Sequence, residues 1–209
     1  MRVNAFCTER IDDALEYCDK AVYCGDGLVT DSRVEVLGVG GKSGGIYIPS
    51  MSDEDAFASA CDRILAENLK AYVLAAFDLE EAGRIEARYK LSPIMLLHKL
   101  GVLKSCTVVG GVCLDNDDLD LMAQESVPLV VLPTAAAGYG HGYAPVCAAV
   151  ARGIRVGVGT FDGKYNKACS IDYELEFLRL TANADMRSET ALTRQNLVDI
   201  AAFSSGEKR

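Results

Sequence analysis

The sequence predicts an α/β fold built on a mainly parallel sheet. Three observations carry this. Residues 126–162 read as strand, loop, helix and strand: an apolar run over 128–133, a glycine-rich polar turn, an alanine-rich helix opened by Pro145 and ended by Gly153, and an apolar run over 154–158. Along the whole chain, about six or seven short apolar runs alternate with helical patterns. Finally, 209 residues, half of them apolar, suffice for one large core and favour one domain over two. In such folds the groups that meet a ligand collect in loops after the C-terminal strand ends.

The elements follow in order. Residues 3–7 form a short strand, Asp12 or Asp13 stands near the start of a helix reaching about Asp19, and 21–24 is a weaker apolar piece before Gly25-Asp26-Gly27. Residues 34–39 are a better strand, running into GVGGKSGG. A phosphate-binding P-loop is excluded there because Val36 occupies the place of its first glycine, and 46–49 continues as extended chain. If that loop holds an anion, Lys42, Ser43 and the nearby amides are the groups to do it. Ser52, with Asp55 at capping-box distance, caps a helix whose apolar face is Phe57, Ala60, Cys61, Ile64, Leu65 and Leu69.

Residues 71–77 are strand-like, Asp78 opens a helix to about Tyr89, and Ser92-Pro93 starts another in which His98 interrupts an apolar run. Residues 107–113 form the next strand. The acidic stretch LDNDDLDLMAQES lacks calcium-loop spacing; Asp115 as a helix cap, with Asp117 and Asp118 in the first turn, accounts for its charges. Beyond residue 162, Ser170 or Asp172 starts a helix with Ile171, Leu175, Leu178 and Leu180 as apolar positions. Residues 183–187 read as a loop, and a last helix spans about 188–203 before the polar tail SSGEKR.

The formal charge of −9 and the lack of a basic block argue against a nucleic-acid partner. Eight cysteines form no CxxC pair and sit in or beside apolar runs, which reads as buried free thiols in a reducing compartment. No apolar stretch approaches the ~18 residues of a membrane span, and MRVNAFCTERIDD lacks a signal peptide's apolar segment, so the expected address is cytoplasmic, with no membrane partner. Among single residues, Asp162 follows a strand directly, and His141 lies in the loop GYGHGYAP, where glycines let the backbone approach a ligand. Tyr139, Tyr143 and Tyr165 offer walls for a small ring-shaped molecule near the same rim.

The order Ala144-Pro145-Val146, the run Gly153 through Thr160, Asp162-Gly163, Asn166, Ser170-Ile171-Asp172 and Phe177-Leu178-Arg179-Leu180 resembles the C-terminal half of metal-dependent amidohydrolases. The similar branch contains the guanine and adenosine-derivative deaminases and the triazine chlorohydrolases. The segment SPIMLLHKLGVLKSCTVVGGVCLDNDDLDLMAQESVPLVVLP is similar to the family's sixth strand and its helix. The likeness covers residues 92–180, is faint over 70–90 and is nearly absent before that. It implies a (β/α)8 barrel in which a metal activates water, held by an HxH pair on strand one, histidines after strands five and six, and an aspartate after strand eight. This chain has no HxH. Leu74 falls at the fifth-strand histidine and Gly110 at the sixth-strand position. Cys113 falls at a second histidine of that loop, and Phe161, or Asp162 with a one-residue shift, at the aspartate. Leucine and glycine cannot ligate a cation, so the resemblance implies an amidohydrolase-like protein that has lost its metal centre and hydrolysis.

Such barrels usually take about 250 residues. The expectation is therefore a partial or divergent (β/α) barrel: one amidohydrolase-like domain over 1–209, with a divergent part over 1–70, barrel-like βα units over 71–203 and a tail over 204–209. Either an open sheet edge remains or residues 1–70 close the barrel in a divergent way, and a homo-oligomer is expected through an uncovered sheet edge or a barrel face. No cofactor, metal ligand or catalytic residue is assigned. Ligand-binding candidates are Asp162, His141, Cys113, Tyr139, Tyr143, Lys42 and Ser43, for a small polar or heteroaromatic molecule. The alternatives are a noncatalytic structural or regulatory subunit, and an enzyme with a rebuilt site, using either Cys113, His141, Asp162 and Cys169 as mixed ligands or Cys113 as nucleophile.

Overall fold

The computed structural model describes residues 1–25, 29–38 and 45–203. Lys42, Ser43 and the tail over 204–209 lie outside these residues. Among the described residues eight strands run in chain order: β1 (Val3–Cys7), β2 (Lys20–Cys24), β3 (Val34–Leu37), β4 (Gly45–Ile48), β5 (Lys70–Ala75), β6 (Cys106–Gly110), β7 (Leu129–Val131) and β8 (Val156–Val158). Every pairing is parallel. Sheets β1-β2-β3 and β4-β5-β6-β7-β8 meet at two seams, through the bridges Gly38–Ile46 and Cys7–Phe161. The ring thus closes as a (β/α)-barrel, with more strands than the apolar runs suggested.

Of the two expectations, closure by residues 1–70 holds and an uncovered sheet edge does not. At one seam the Tyr47 amide donates to Gly38 O (3.0 Å); at the other, Phe161 N donates to Phe6 O (3.2 Å) and Thr8 N to Phe161 O (3.0 Å). The edge groups that would recruit another strand are used within the ring. The second seam is reinforced by Asn4, which is fully buried: its Nδ2 donates to Thr160 Oγ1 (2.9 Å) and its Oδ1 accepts from Thr160 N (3.3 Å).

The short N-terminal half explains how fewer residues complete a barrel. Only 25–33 separate β2 from β3, and only 38–44 separate β3 from β4. Neither connection has the dozen or so residues of a helical crossover. The outer layer is carried by α1 (Ile11–Glu16), α2 (Glu54–Glu67), α3 (Leu79–Tyr89), α4 (Pro93–Lys99), α5 (Asn116–Gln124), α6 (Pro133–Gly138), α7 (Val146–Ala151), α8 (Ile171–Met186) and α9 (Arg194–Ala201).

Strand alternation divides the core in two. Ile46, Ile48, Ala71, Val73 and Ala75 pack outward with helix residues such as Phe57, Ile64 and Ile85, whereas Tyr47, Tyr72, Val109 and Val130 belong to a separate inner cluster. On β1 the step from Asn4 to Cys7 matches only Ala21 to Tyr23 on β2. This bulge turns both Ala5 and Phe6 into the inner cluster. Gly157 on β8 leaves room for Phe203, which follows α9 and also joins that cluster: a Cβ at Gly157 would lie 2.5 Å from the Phe203 ring.

Local expectations failed where side chains found longer-range partners. The cap of α2 is Asp53, which accepts from Ala56 N (3.2 Å), because the Ser52 hydroxyl donates to Glu81 on α3 (3.1 Å). Residues 133–138 form α6 rather than a turn. Asn183 lies inside α8, where its side chain bonds Glu189 O (3.1 Å) and Ala191 N (3.2 Å) and so ties down the following loop. The last helix consequently starts at Arg194, capped reciprocally by Thr193 and Asn196. Leu65 and Leu180, read as core positions, are more than half exposed. All eight cysteines are free, and among the described residues no helix is long and apolar enough to cross a membrane.

Candidate functional site

Parallel strands leave their C-terminal ends at one mouth, and there the chain brings aromatic rings together. Phe6 ends its strand's inward run, Phe77 follows β5 and Phe161 follows β8. The Phe161 backbone is left-handed (φ 55°), an uncommon conformation for a bulky residue. Its ring stacks 6.0 Å from Phe6, lies 5.8 Å from Phe77 and meets Tyr139 edge-on at 6.3 Å. Phe6 continues to Tyr47 on β4 (5.3 Å), and Phe77 to His141 (4.7 Å). The mouth is therefore crossed by a chain of rings drawn from strands on several sides of the barrel.

The rim above it is held by Asp162. Its Oδ2 accepts from the Tyr139 hydroxyl (2.5 Å) and its Oδ1 from Lys164 N (3.0 Å). The Asp162 hydrogen bond, then burial and the carboxylate charge, pushes the Tyr139 phenol up to about 12. Lys164 Nζ stands 4.7 Å above the Tyr139 ring and 5.1 Å above Tyr165, which itself meets Tyr139 edge-on at 5.0 Å. Asp162 is thus a fastener between the loops after β7 and β8.

Of the predicted site residues, Asp162, Tyr139 and His141 are brought together. His141 is largely covered, 6.0 Å from the Tyr139 ring, and its Nδ1 lies 4.0 Å from Asp78 Oδ1. Cys113 sits on the Asp78 side, its amide donating to Ala76 O (2.7 Å). Burial first, then the Asp78 and Glu86 carboxylates, raises its thiol pKa, the opposite of an activated nucleophile. Tyr143 stands apart, on the rim of a neighbouring cavity. Sequence reading missed Phe6, Phe77 and the second role of Asp78. Asp78 caps α3 as its position suggested, accepting from Glu80 N (3.0 Å), while facing His141 and Cys113.

No family model matches the chain. A 5-methylthioadenosine/S-adenosylhomocysteine deaminase of Halothermothrix orenii is 32% identical over 116 residues, 54% of this chain and 27% of that protein. The deaminase of the same description from Caldicellulosiruptor saccharolyticus is 26% identical, over 60% of this chain and 30% of its own length. The S-triazine hydrolase of Gordonia rubripertincta is 29% identical, over 57% and 25%. These sequences point to one branch of the metal-dependent amidohydrolases. The fold agrees: a zinc-bound adenosine deaminase of Xanthomonas campestris superposes with a TM-score of 0.69 at 18% identity, covering 82% of this chain and 38% of that one. A zinc complex of an atrazine chlorohydrolase of Arthrobacter aurescens gives 0.67 at 15%, covering 95% and 52%. The chain spans between a quarter and a third of the length of these curated relatives.

As an amidohydrolase-like barrel, the chain does not fit the family's metal. Leu74 packs against the inner apolar cluster and Phe161 is one of the mouth rings. At Gly110 (φ 93°), a Cβ would lie 2.5 Å from that of Phe77, so a histidine cannot enter without displacing the ring. The mixed alternative fails as well: among the described residues no three His, Cys, Asp or Glu side chains are grouped to hold a metal ion. Cys169 is fully buried, and Asp162 is engaged by Tyr139. Neutral imidazoles around an open coordination site are what metal-activated water requires, and apolar rings stand in that space.

Proposed function

We propose that this protein is a noncatalytic amidohydrolase-like barrel that acts by binding at the C-terminal mouth. The observation that carries the reading concerns the two positions that the resemblance offers for the metal-ligating aspartate: at Phe161 a phenyl ring stacks on Phe6, and Asp162, the alternative by a one-residue shift, is engaged by the Tyr139 hydroxyl (2.5 Å). At residue 161 a carboxylate would offer a ligand; a phenyl group excludes water and donates no lone pair. The relatives' deamination and triazine hydrolysis are therefore not carried over. His141, Asp78 and Asp162 remain as polar groups at the mouth, suited to contacting a small polar or heteroaromatic ligand. Eight unpaired cysteines suit a reducing, cytoplasmic compartment. The test is ammonia release from S-adenosylhomocysteine, 5-methylthioadenosine and aminotriazines, with and without added zinc. No turnover above buffer is expected, and zinc-dependent turnover overturns the reading.

A partner-binding role is the second reading. Tyr173 and Leu180, about two turns apart on one face of α8, are each about half exposed, and with the ring closed a homodimer would form through such a barrel face. Sedimentation at micromolar concentration tests it: a concentration-dependent dimer is expected, and a monomer throughout removes this reading.

A further inference from the structure

On the outer side of the Asp162 fastener two tyrosine rings make a corner. Tyr139, at the end of α6, and Tyr165, in the loop after β8, stand edge to face, their planes 84° apart and their centroids 5.0 Å apart. Each is more than a third exposed. Both walls are held in place. A Cβ at Gly138 would lie 2.3 Å from the Tyr165 ring, so that ring lies against backbone that only glycine leaves open. Tyr139 meets Phe161 edge-on at 6.3 Å and donates its hydroxyl proton to Asp162. A phenol whose proton is drawn toward a carboxylate has a more electron-rich ring, and so attracts positive charge more strongly to its face. The corner already holds a cation: the Lys164 ammonium stands 4.7 Å from the Tyr139 centroid and 5.1 Å from that of Tyr165.

Those distances suit a different occupant. A nitrogen touching a ring face would stand at roughly 3.5–4.0 Å, the separation of heavy atoms in contact. The Lys164 nitrogen is about 1 Å further from each centroid, room that methyl groups on N–C bonds of ~1.5 Å would fill. A lysine ammonium is compact and strongly hydrated, whereas a methylated one spreads its charge and gives up less water on entering. A planar guanidinium would stack on one ring and leave the perpendicular wall uncovered. We propose that the Tyr139–Tyr165 corner binds the trimethylammonium group of a free small molecule, which displaces Lys164 as the resident cation. Lys164, exposed on the rim, can leave for solvent without uncovering the core. The proposal deepens the binding reading above by giving a ligand class to the rim of the same mouth, and rests on that reading.

The test is a heteronuclear NMR titration of the whole protein with choline chloride at constant ionic strength, against the neutral isostere of choline in which a tert-butyl group replaces trimethylammonium. Choline should give saturable shifts at Gly138, Tyr139 and Tyr165. The isostere should bind about fivefold more weakly, the loss of an exposed cation–π attraction. Ethanolamine, with the same primary ammonium as Lys164, should also bind more weakly than choline. Lys164→Ala should tighten choline binding at least about threefold, the factor expected when the resident lysine fills the corner about two-thirds of the time. Tyr165→Leu should weaken it about fivefold. If that variant does not fold, the isostere and Lys164→Ala comparisons decide alone. A trimethyllysine peptide should bind no more tightly than choline, and much tighter binding overturns the small-molecule source in favour of a protein partner. Equal affinity for choline and either analogue, an unchanged or weakened Lys164→Ala variant, or no saturable shift overturns the site. Zinc-dependent turnover in the same sample would instead overturn the noncatalytic reading, so the two failures are distinguishable.

Discussion

The Phe161 ring lies 6.0 Å from that of Phe6, with 16° between their planes, so residues from the first and last strands stack where the barrel closes. The seam and the plugged mouth are one structure. Phe161→Asp should therefore lower stability by about 2 kcal/mol, the loss of a partly buried phenyl contact plus the burden of a poorly solvated carboxylate. A carboxylate at this one position, beside Asp162, should not recruit zinc. Chemical denaturation and metal titration of the variant check both outcomes.

Phe203 should matter to the other end of the same core. Its ring fills the space left by Gly157, so Phe203→Ala should cost about 3–5 kcal/mol, the range for emptying a buried phenyl site. Gly157→Ala should also destabilise by forcing the ring out. The urea midpoint of each variant is the measurement, and a wild-type midpoint would show that the C-terminal segment does not pack there.

How much of this was legible in the sequence depends on distance along the chain. The strand over 3–7 and the caps at Asp78, Ser92, Asp115 and Ser170 follow from local pattern, and the structure places them there; the strand read over 71–77 ends at Ala75. Helix α6 was hidden by the glycines that follow it, although Pro133 at its first position and three alanines were a usable signal. Closure was not legible, because connections such as 25–33 carry no helical pattern to announce a crossover. The site divides likewise. His141, Tyr139 and Asp162 lie in loops after strands and were found, but Phe6 and Phe77 meet Phe161 only once the ring closes.

Two buried carboxylates set a pH dependence. Asp118 is buried and accepts from the Ser92 hydroxyl; burial first, and the Asp115 charge, push its carboxyl up to about 6 from 3.8. Glu174, fully buried, accepts from Thr134 Oγ1 (2.6 Å), Thr134 N (3.0 Å) and Asn166 Nδ2 (3.0 Å), and burial raises it too. A carboxyl raised in the folded state contributes stability that is intact below its unfolded pKa and lost as pH rises through the folded one. The Asp118 contribution should fade between about pH 4 and 6. Asp118→Asn, which keeps the acceptor, should flatten that part of a Tm-against-pH profile; an unchanged slope would place the dependence elsewhere.

The Tyr139–Asp162 fastener should be visible in tyrosine titration. At least two of the nine tyrosines should ionise late: Tyr47, which burial pushes up, and Tyr139, near pH 12; Asp162→Asn should bring only Tyr139 back toward 10 by removing the charge. Because this pair is near the surface, Tyr139→Phe should cost less than about 1 kcal/mol. Ultraviolet difference spectra of the two variants separate the electrostatic effect from any loss of fold.

The central claim is that, in an amidohydrolase-like barrel, apolar groups stand where the resemblance expects metal ligands. It is tested most directly by elemental analysis of protein produced in zinc-supplemented medium and purified without chelator. The account predicts zinc, iron and manganese each far below one equivalent per chain. A full equivalent of any of them, retained through dialysis, would contradict it.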